Sequence, residues 1–483
     1  MNMLDRLIAQ VSPARGLSRA RARKVLDILA HYDAATTGLR SKSWVASGSD
    51  ADGANGRRQR LAYIARDMVR NTPFAARAQQ VIANNVVGDG ILPKIIAPNP
   101  ALQSAALSMI EAHLDSTSID SDGVCNFYGL QRLALNTVID SGEVLIRRRR
   151  REAADRLPLP FQIQVIEPDF IDSTKDGRAA NGNEIREGIE YDLIGRRVGY
   201  YLFSEHPGKA SGRLRSWESR RVPASEIIHI FRVDRPGQKR GVSWFSGVAL
   251  QLQDLGDHQD AQMMRQKIAA CFAAFRVAPD DLDAATADEM ATSLKPGAIM
   301  DLAPGEDIKF AVPPGVEGYD EFTRSVLRSI AAGMGITYEA LTGDLSNVNF
   351  SSGRMGRMEM DRNVSSWQWL MMIPQFLGPF GGWLLEAWML QIGDPRVMKS
   401  RIEWVPPHRI IVDPAREIPA MITAIRGGLA SRQGTQRALG YDPERLMDEI
   451  KQDRATADAA EVQFDSDPRK DASKLAKGSD NAE

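Results

Sequence analysis

The sequence predicts an α+β protein that is built from more than one subdomain. The chain has 483 residues, which exceeds the usual size of a single hydrophobic core. Its hydrophobic residues recur with a helical period over several long segments, but with a period of two in part of the first half. Hydrophobic residues are 43% and charged residues 25% of the chain, which is typical of a globular protein that buries a large core.

The N-terminal half is predicted to begin with a flexible arm and to continue as a bundle of helices. Residues 1–56 start as a basic amphipathic segment and end in a stretch rich in Gly, Ser, Asp and Asn. Apolar residues at i, i+3 and i+4 spacing then predict helices over 57–71, 75–87, 100–115 and 127–141. Gly88 and Gly90 suit the left-handed backbone that often ends a helix, so the second helix should end there.

Strands are predicted where the hydrophobic period changes to two. They are expected around Val144 and Ile146, over 161–166 and 227–231, and as a hairpin within 188–201 that turns near Gly195. The first strand runs into Arg147–Arg151, which we interpret as a solvated or acid-paired sheet surface; the alternative is a patch that contacts DNA phosphate or a partner protein. Residues 237–244 resemble a phosphate-binding turn, but a tight strand-to-helix connection is favoured because the rest of a nucleotide motif is missing.

The second half is predicted to be mainly helical, with one small insertion. A long helix is expected over 244–278, followed by a small unit at 279–316 with a short helix (285–293) and two short strands, and by a helix over 319–334. A polar loop precedes a tryptophan-rich helical zone at 353–392, which Pro374 and Pro379 should kink or break. Helices near 415–427, 431–439 and 443–452 follow, and residues from 453 on are expected to be disordered.

Composition and motifs argue against catalysis, metal binding and membrane insertion. The 61 basic and 62 acidic residues nearly cancel, and the chain contains no phosphate-loop, dinucleotide-binding, GxSxG or HExxH motif. Two distant cysteines and six scattered histidines predict neither a disulfide framework nor a zinc site. The most apolar window, 376–392, contains glycines, a proline and a glutamate, and no secretory signal is evident, so we expect a non-enzymatic cytosolic protein without cofactor.

A series of motifs resembles, in order, the lambda-like family of tailed-phage portal proteins. Among them, residues 235–241 read Arg-Pro-Gly-Gln-Lys-Arg-Gly, and a loop that runs from Gly343-Asp to Ser-Gly-Arg354 lies between two helices. The other motifs occupy 66–75, 85–93, 142–146, 164–169, 188–192 and 222–229. Each is only modestly specific, but their shared order across about 57–410 carries the resemblance.

The resemblance implies the portal-protein fold and a division of the chain. It implies an α/β wing, two stem helices that bracket a small clip, a channel loop with a kinked helix, and a helical crown. Transferred to this sequence, the segments are the arm (1–56), the wing (57–243), the stem helices (244–278 and 318–335), the clip (279–317), the channel loop and its helix (336–392), the crown (393–452) and a disordered tail (453–483).

The resemblance also implies a function and partners. Portal proteins form a ring, usually of twelve subunits, at one capsid vertex; they nucleate head assembly and pass double-stranded DNA during packaging and ejection. The implied partners are other copies of this chain, the terminase large subunit, the major capsid protein and scaffold, and head-completion or adaptor proteins. The implied location is the virion, with the host cytoplasm during assembly, and no membrane.

The polar loop supplies the candidate DNA-contacting residues. Repeated around a ring, short polar side chains would offer weak hydrogen bonds to a moving phosphate backbone. As an exposed connector the loop would also be ordinary, and the resemblance favours the channel interpretation. The candidates are Ser346, Asn347, Asn349, Ser351, Ser352, Arg354 and Arg357.

Two alternative functions remain open at the level of sequence. One is a metal-dependent DNA-processing enzyme of mobile-element origin, for which Glu167, Asp169 and Asp172 are the acidic set that could hold magnesium. The other is a capsid-associated scaffold protein without a channel.

Overall fold

The computed structural model describes residues 48–51, 57–209, 218–270, 274–277, 299–302, 318–407, 413–439, 441 and 443–462. The first helices are α1 (Arg57–Asn71), α2 (Pro73–Val86), α3 (Pro100–Met109, continued by a π-helical turn at Ile110–Leu114) and α4 (Phe127–Ser141). The strands are β1 (Leu92–Ile96), β2 (Glu143–Arg150), β3 (Phe161–Ile166), β4 (Gly177–Arg178), β5 (Glu184–Arg186), β6 (Ile189–Tyr191), β7 (Arg197–Leu202), β8 (Arg220–Pro223), β9 (Ile227–Phe231), β10 (Ala274–Val277), β11 (Ile299–Leu302) and β12 (Arg401–Val405). The later helices are α5 (Ala249–Ala270), α6 (Tyr319–Met334), α7 (Tyr338–Thr342), α8 (Phe350–Trp367), α9 (Gly378–Ile392), α10 (Pro414–Arg426), α11 (Arg432–Ala438) and α12 (Pro443–Ala459).

Strand β2 is the centre of the N-terminal part because both of its faces are buried. It pairs antiparallel with β3 on one side and with β9 on the other. Val144 and Ile146 face the main helical core, whereas Leu145 belongs to a second hydrophobic cluster. Burial on both faces explains why Glu143 is followed by a continuous apolar run, Val144–Ile146, instead of a polar alternation.

The second cluster lies between this three-stranded sheet and an antiparallel sheet of order β4-β5-β6-β7-β8. Ile189, Tyr200 and Leu202 of the larger sheet contribute buried side chains to it. The predicted hairpin is formed by β6 and β7, and Gly195 lies in its turn with a φ of +81°. The mixed helix and strand composition that the sequence predicted for residues 57–240 is therefore confirmed.

The start of β2 carries a buried group of charged side chains. Glu143 accepts hydrogen bonds from Arg240 Nε (2.8 Å to Oε1) and from the Gly241 amide (2.9 Å to Oε2), and His229 Nε2 lies 3.0 Å from Oε2. Burial alone would raise the pKa of Glu143, but the Arg240 guanidinium and His229 outweigh it and hold that pKa well below its usual range. Burial lowers the pKa of His229 to about 4, against the opposing effect of Glu143.

Glycine is required where α4 turns into β2. Gly142 has a φ of +90°, and a Cβ atom there would collide with the backbone of Val242. A side chain at this position would be strained by the left-handed backbone and also blocked by its neighbour. Because Gly142 lacks a side chain, the connection after β9 packs against the start of β2. There Arg240 and the Gly241 amide donate hydrogen bonds to the Glu143 carboxylate.

The helical zone of the second half is continuous through its prolines. Of the two predicted outcomes, a kink or a break, the break does not occur, because a π-helical segment at Gln368–Leu377 accommodates Pro374 between α8 and α9. Gly378 donates its backbone N–H to the carbonyl of Ile373, as expected where a wider turn replaces an α-helical one. Pro379 lies in the first turn of α9, where its missing N–H costs little. Trp383 and Trp388 are buried, whereas Trp369 is 56% exposed.

Other elements end or pair differently from the sequence prediction. The segment predicted as a helix over 244–278 begins with a 3-10 turn at Trp244–Gly247 and is α-helical over Ala249–Ala270, but residues Ala274–Val277 form β10, which pairs in parallel with β11. Pairing with a distant segment overrides the helical period there. Strands β1 and β12 form an antiparallel pair that the sequence did not predict, and α12 extends to Ala459, beyond the start at 453 of the predicted disordered tail.

Several predicted segments lie outside the described residues. They include most of the arm (1–56), the tail from 463 on, and the predicted clip apart from residues 299–302. The segment boundaries taken from the resemblance remain predictions. Among the described residues, none of the helices is both long and apolar enough to cross a membrane.

We expect the Glu143→Gln variant to lose about 3–5 kcal/mol of its free energy of unfolding, because Arg240 would remain buried without its counter-charge. Urea denaturation followed by circular dichroism measures this. Asp448→Asn is the matched control, since its pair with Lys451 is exposed on both sides and should change stability by less than about 0.5 kcal/mol. Equal stabilities of the two variants would contradict a central role for Glu143.

Candidate functional site

The predicted channel loop is held at both ends by the core. Helix α6 buries Leu327, Ile330 and Met334 and ends at Gly335, whose φ is +70°. The carbonyl of Gly335 accepts a hydrogen bond from Asn363 Nδ2 of α8 at 3.0 Å. The short helix α7 follows, and the loop proper runs from Gly343 to Asn349. Both flanking helices therefore fix where the loop begins and ends.

Asp344 organises the first half of the loop. Its Oδ1 accepts hydrogen bonds from the Ser346 hydroxyl at 2.5 Å and from the Ser346 amide at 3.0 Å. Its Oδ2 accepts one from the Tyr338 hydroxyl at 3.2 Å. The Ser346 hydrogen bonds, hydroxyl first, lower the pKa of Asp344, so the carboxylate remains charged. The candidate Ser346 is exposed, but its hydroxyl is already hydrogen-bonded within the loop.

The side chains of Asn349 and Ser352 cap the start of α8. Asn349 Oδ1 accepts a hydrogen bond from the Ser352 amide at 2.8 Å, and Ser352 Oγ accepts one from the Asn349 amide at 3.2 Å. This is a reciprocal capping box, which satisfies two backbone donors that a helix start would otherwise leave without partners. Both residues were predicted to contact DNA, and this local capping pattern was missed.

The remaining candidates differ in how they are engaged. Arg357 is paired with Asp361 at 3.1 Å, one helical turn later. Arg354 lies 3.9 Å from Glu417 of α10, a weaker contact that the sequence did not suggest. Asn347 and Ser351 are exposed, and no hydrogen bond of their side chains is seen within the described part of the chain. The structure thus places all seven candidates on one continuous surface segment, with Asn347, Ser351 and Arg354 the least engaged.

Two arginines of the run at Arg147–Arg151 pair with acidic side chains, as one of the interpretations of the sequence expected. Arg148 is buried, pairs with Glu386, and lies over the rings of Phe161 and Trp383 at 5.6 and 5.8 Å. Arg150 pairs with Glu226 at 2.6 Å. The Arg148 side chain therefore connects β2 to helix α9 as part of the packing of the protein.

The acidic set Glu167, Asp169 and Asp172 does not come together as one group. Glu167 and Asp169 lie beside Arg66, whose Nη2 is 2.5 Å from Asp169 Oδ2. Asp172 instead accepts hydrogen bonds from Ser219 Oγ and Thr174 Oγ1, both at 2.6 Å. The three-carboxylate magnesium site that the sequence suggested is not formed by this arrangement.

Exposed apolar side chains are a feature that the sequence analysis missed. On α5, Leu250 is 81% exposed, and Met263 and Met264 are also exposed. On the α8 to α9 rod, Leu370 is 71% exposed, and Met355, Met358 and Trp369 are exposed as well. Helical periodicity cannot distinguish a face that packs on the protein's own core from one that packs on another molecule.

Residues 37–368 match the model of the family described as phage portal protein, lambda family. The chain belongs to this family.

Individual relatives of the chain are portal proteins of phages as well. The portal protein is 28% identical over 422 residues to a probable portal protein of Halomonas phage phiHAP-1, covering 81% of this chain and 79% of that protein. It is 22% identical over 442 residues to portal protein B of Escherichia phage lambda, covering 79% and 80% respectively. Among solved structures it is similar to a chain from the neck of a native GTA particle computed with C12 symmetry, at 15% identity and a TM-score of 0.43, covering 78% of this chain and 94% of that chain.

Family membership confirms the prediction of a structural portal protein of a phage-like virion. It also confirms that the chain is not an enzyme, since portal proteins are structural components. The alternative of a metal-dependent DNA-processing enzyme gains no support from these comparisons.

We expect Asn349→Ala to destabilise the first turn of α8 in the portal protein by about 1 kcal/mol, because the helix loses its side-chain cap. Hydrogen exchange of the Ser352 amide should then become about fivefold faster. Asn347→Ala is the control, since this neighbouring side chain makes no hydrogen bond among the described residues. A cap with no stabilising role would leave the exchange rates of the two variants alike.

Proposed function

We propose that this portal protein assembles, by head-to-tail contacts that close through rotation, into a ring of twelve subunits at one capsid vertex. The family match over residues 37–368 is the observation that carries the proposal. In this role the ring nucleates head assembly and is the conduit through which double-stranded DNA is packaged and ejected.

The exposed apolar side chains support the proposed ring. Two helical segments, α5 and the rod from α8 to α9, carry large apolar residues that are more than half exposed in a single chain. Contiguous exposed apolar surface is typical of a protein interface. A neighbouring subunit that covers these segments would remove Leu250, Trp369 and Leu370 from water.

The polar loop supports the proposed conduit. Its exposed side chains are short and mostly uncharged, and Arg357, one of its two candidate arginines, is paired with an acidic residue. A loop of this kind, repeated around an axis, would contact phosphates weakly and without reading the base sequence. Asn347, Ser351 and Arg354 are the residues that we propose to contact DNA. The other four candidates form hydrogen bonds or a close ion pair within the subunit, whereas the contact of Arg354 with Glu417 is long, at 3.9 Å.

The remaining partners follow from the same proposal. The clip, at 279–317, would dock the terminase large subunit and later the head-completion or adaptor proteins. The major capsid protein and scaffold would contact the ring during assembly in the host cytoplasm, before the portal becomes part of the virion.

Negative-stain electron microscopy of the purified protein, with light-scattering mass on the same sample, tests the proposal. Rings with a central hole and a mass near that of twelve subunits are the expected result. Closed particles without a hole would favour a capsid-associated scaffold protein in its place.

We expect Trp369→Ala together with Leu370→Ser to weaken ring assembly, because both side chains would be lost from a buried interface. Buried interface tryptophans are commonly worth about 2 kcal/mol or more, so the protein concentration for half-assembly should rise at least about 30-fold. Analytical ultracentrifugation measures this. The control is Leu193→Ser, which removes an apolar side chain that is 93% exposed on the β6–β7 hairpin. Unchanged assembly of the double variant would place the interface elsewhere.

We expect Asn347→Ala combined with Arg354→Ala to leave ring assembly intact and to lower the amount of DNA packaged per particle several-fold. The variant removes polar groups that face solvent while keeping the Asn349 cap of α8. Nuclease-protected DNA per particle is the measurement, and Arg196→Ala on the wing hairpin is the control. Normal packaging by the double variant would contradict a channel role for these two residues.

A further inference from the structure

Two large aliphatic side chains are exposed to solvent at the tip of the β6–β7 hairpin. Leu193 is 93% and Ile194 is 71% exposed, and Val233 in the connection after β9 is 55% exposed. We call residues 192–197 and 232–239, which form these two turns, the two-turn surface. Clustered apolar side chains that remain exposed in a single chain are typical of an interaction site.

The hairpin turn has a fixed shape because the Asp192 carboxylate holds it. Asp192 Oδ1 accepts hydrogen bonds from the Ile194 amide at 3.1 Å and from the Arg196 amide at 2.8 Å. The Asp192 amide donates to the Arg196 carbonyl at 2.9 Å. The Arg196 amide is also the main cause that lowers the pKa of Asp192, so the carboxylate remains charged beside Leu193. The apolar tip is therefore held in one conformation.

The second turn is held by the side chain of Gln238. Its Oε1 accepts hydrogen bonds from the amides of Asp234 at 2.9 Å and Arg235 at 3.3 Å. Its Nε2 donates to the carbonyls of Arg232 at 3.1 Å and Arg240 at 2.9 Å. One side chain thus satisfies four backbone groups of a segment without regular secondary structure. A surface that is ordered before binding loses less conformational entropy when a partner binds.

Side-chain contacts join the two turns into one surface. Arg197 Nη2 donates a hydrogen bond to the carbonyl of Lys239 at 3.3 Å. The Lys239 ammonium lies 5.0 Å from the centroid of the Tyr191 ring, and the Arg197 guanidinium lies 5.1 Å from that of Phe231. The hairpin and the connection after β9 are therefore fixed side by side.

The two-turn surface carries more positive than negative charge. It contains five basic residues and two acidic ones. The basic residues are Arg196, Arg197, Arg232, Arg235 and Lys239, and the acidic ones are Asp192 and Asp234. Arg196 lies 3.2 Å from Asp192 and Arg232 lies 2.9 Å from Asp234, so both acidic groups already have a basic partner on this surface. A partner with acidic groups would complement the remaining positive charge.

We propose that the two-turn surface binds an acidic segment of a partner protein, which packs its own apolar side chains against Leu193 and Ile194. Aliphatic side chains suit a protein partner, whereas exposed nucleic-acid bases are bound by aromatic stacking. A lipid surface would bring the charged Asp192 carboxylate against apolar chains, which is costly. The contact uses no residue of α5 or of the rod from α8 to α9, so it does not depend on the proposed ring.

The test is fluorescence anisotropy of the full-length protein with a labelled helical peptide that presents Leu on one face and Glu on the other. We expect saturable binding that weakens with added salt, because exposed charges are screened. The same peptide with Lys in place of Glu should not bind. Leu193→Ser combined with Ile194→Ser should weaken binding at least about tenfold, since two apolar contacts are lost. Gln238→Ala should weaken it about threefold or more, because the second turn loses its fixed shape.

A matched control separates this surface from exposed apolar residues elsewhere. Leu429→Ser, which removes a side chain that is 87% exposed, should bind the peptide as the wild type does, and circular dichroism should be the same for all variants. Equal affinities of the wild type and the double variant, or no binding of the acidic peptide, would overturn the proposal. Binding of duplex DNA or of anionic lipid vesicles that the double variant abolishes would instead assign the surface to nucleic acid or to a membrane. Loss of ring assembly by the double variant in light scattering would assign it to a second copy of this chain.

Discussion

The buried carboxylate of Glu143 is the interaction on which the arrangement of the three-stranded and the five-stranded sheet depends. It lies at the start of β2 and contacts His229 of β9. It also accepts hydrogen bonds from Arg240 and from the Gly241 amide, which lie in the connection that leads to α5. Arg240 also reaches the five-stranded sheet, because its Nη1 donates to the carbonyl of Glu187 at 3.2 Å. One carboxylate therefore fixes how both sheets and the entry to α5 meet.

Such a group contributes more to a unique arrangement than to overall stability. Removing two charges from water costs several kcal/mol per ion, and their attraction repays this only when the geometry is good and the other polar atoms are satisfied. The two hydrophobic clusters supply the driving force, with Val144 and Ile146 on one side of β2 and Leu145 on the other. Because the strand is buried on both faces, a slip by one residue would put Glu143 into an apolar cluster, and this selects a single register.

The sequence predicted those elements correctly that are determined by residues close together in the sequence. The helices over 57–71, 127–141 and 319–334 were predicted closely because an apolar stripe marks each one. The pairing of β1 with β12 joins segments about 300 residues apart in the sequence, and no local signal specifies such a contact. Strand β10, which lies within the segment predicted as a helix, was missed for the same reason, since it pairs with β11.

The candidate site shows the same division between local and distant information. The sequence indicated the polar loop. It could not distinguish side chains that form hydrogen bonds or ion pairs within the subunit from side chains that are exposed to solvent. Asn349 and Ser352 cap α8, which a local motif could have revealed. The contact of Arg354 with Glu417 and the approach of His206 to Glu167 depend on chain segments that only the fold brings together.

The pairing of the loop arginines has a consequence for a DNA conduit. A protein that neutralises many phosphates at once releases many counterions and binds tightly, which would stop a moving duplex. In this subunit Arg357 is paired with Asp361, and Arg354 lies near Glu417, so each positive charge is accompanied by a negative one. A ring of such loops would present polar groups with little net charge, and DNA held in this way could slide without being trapped.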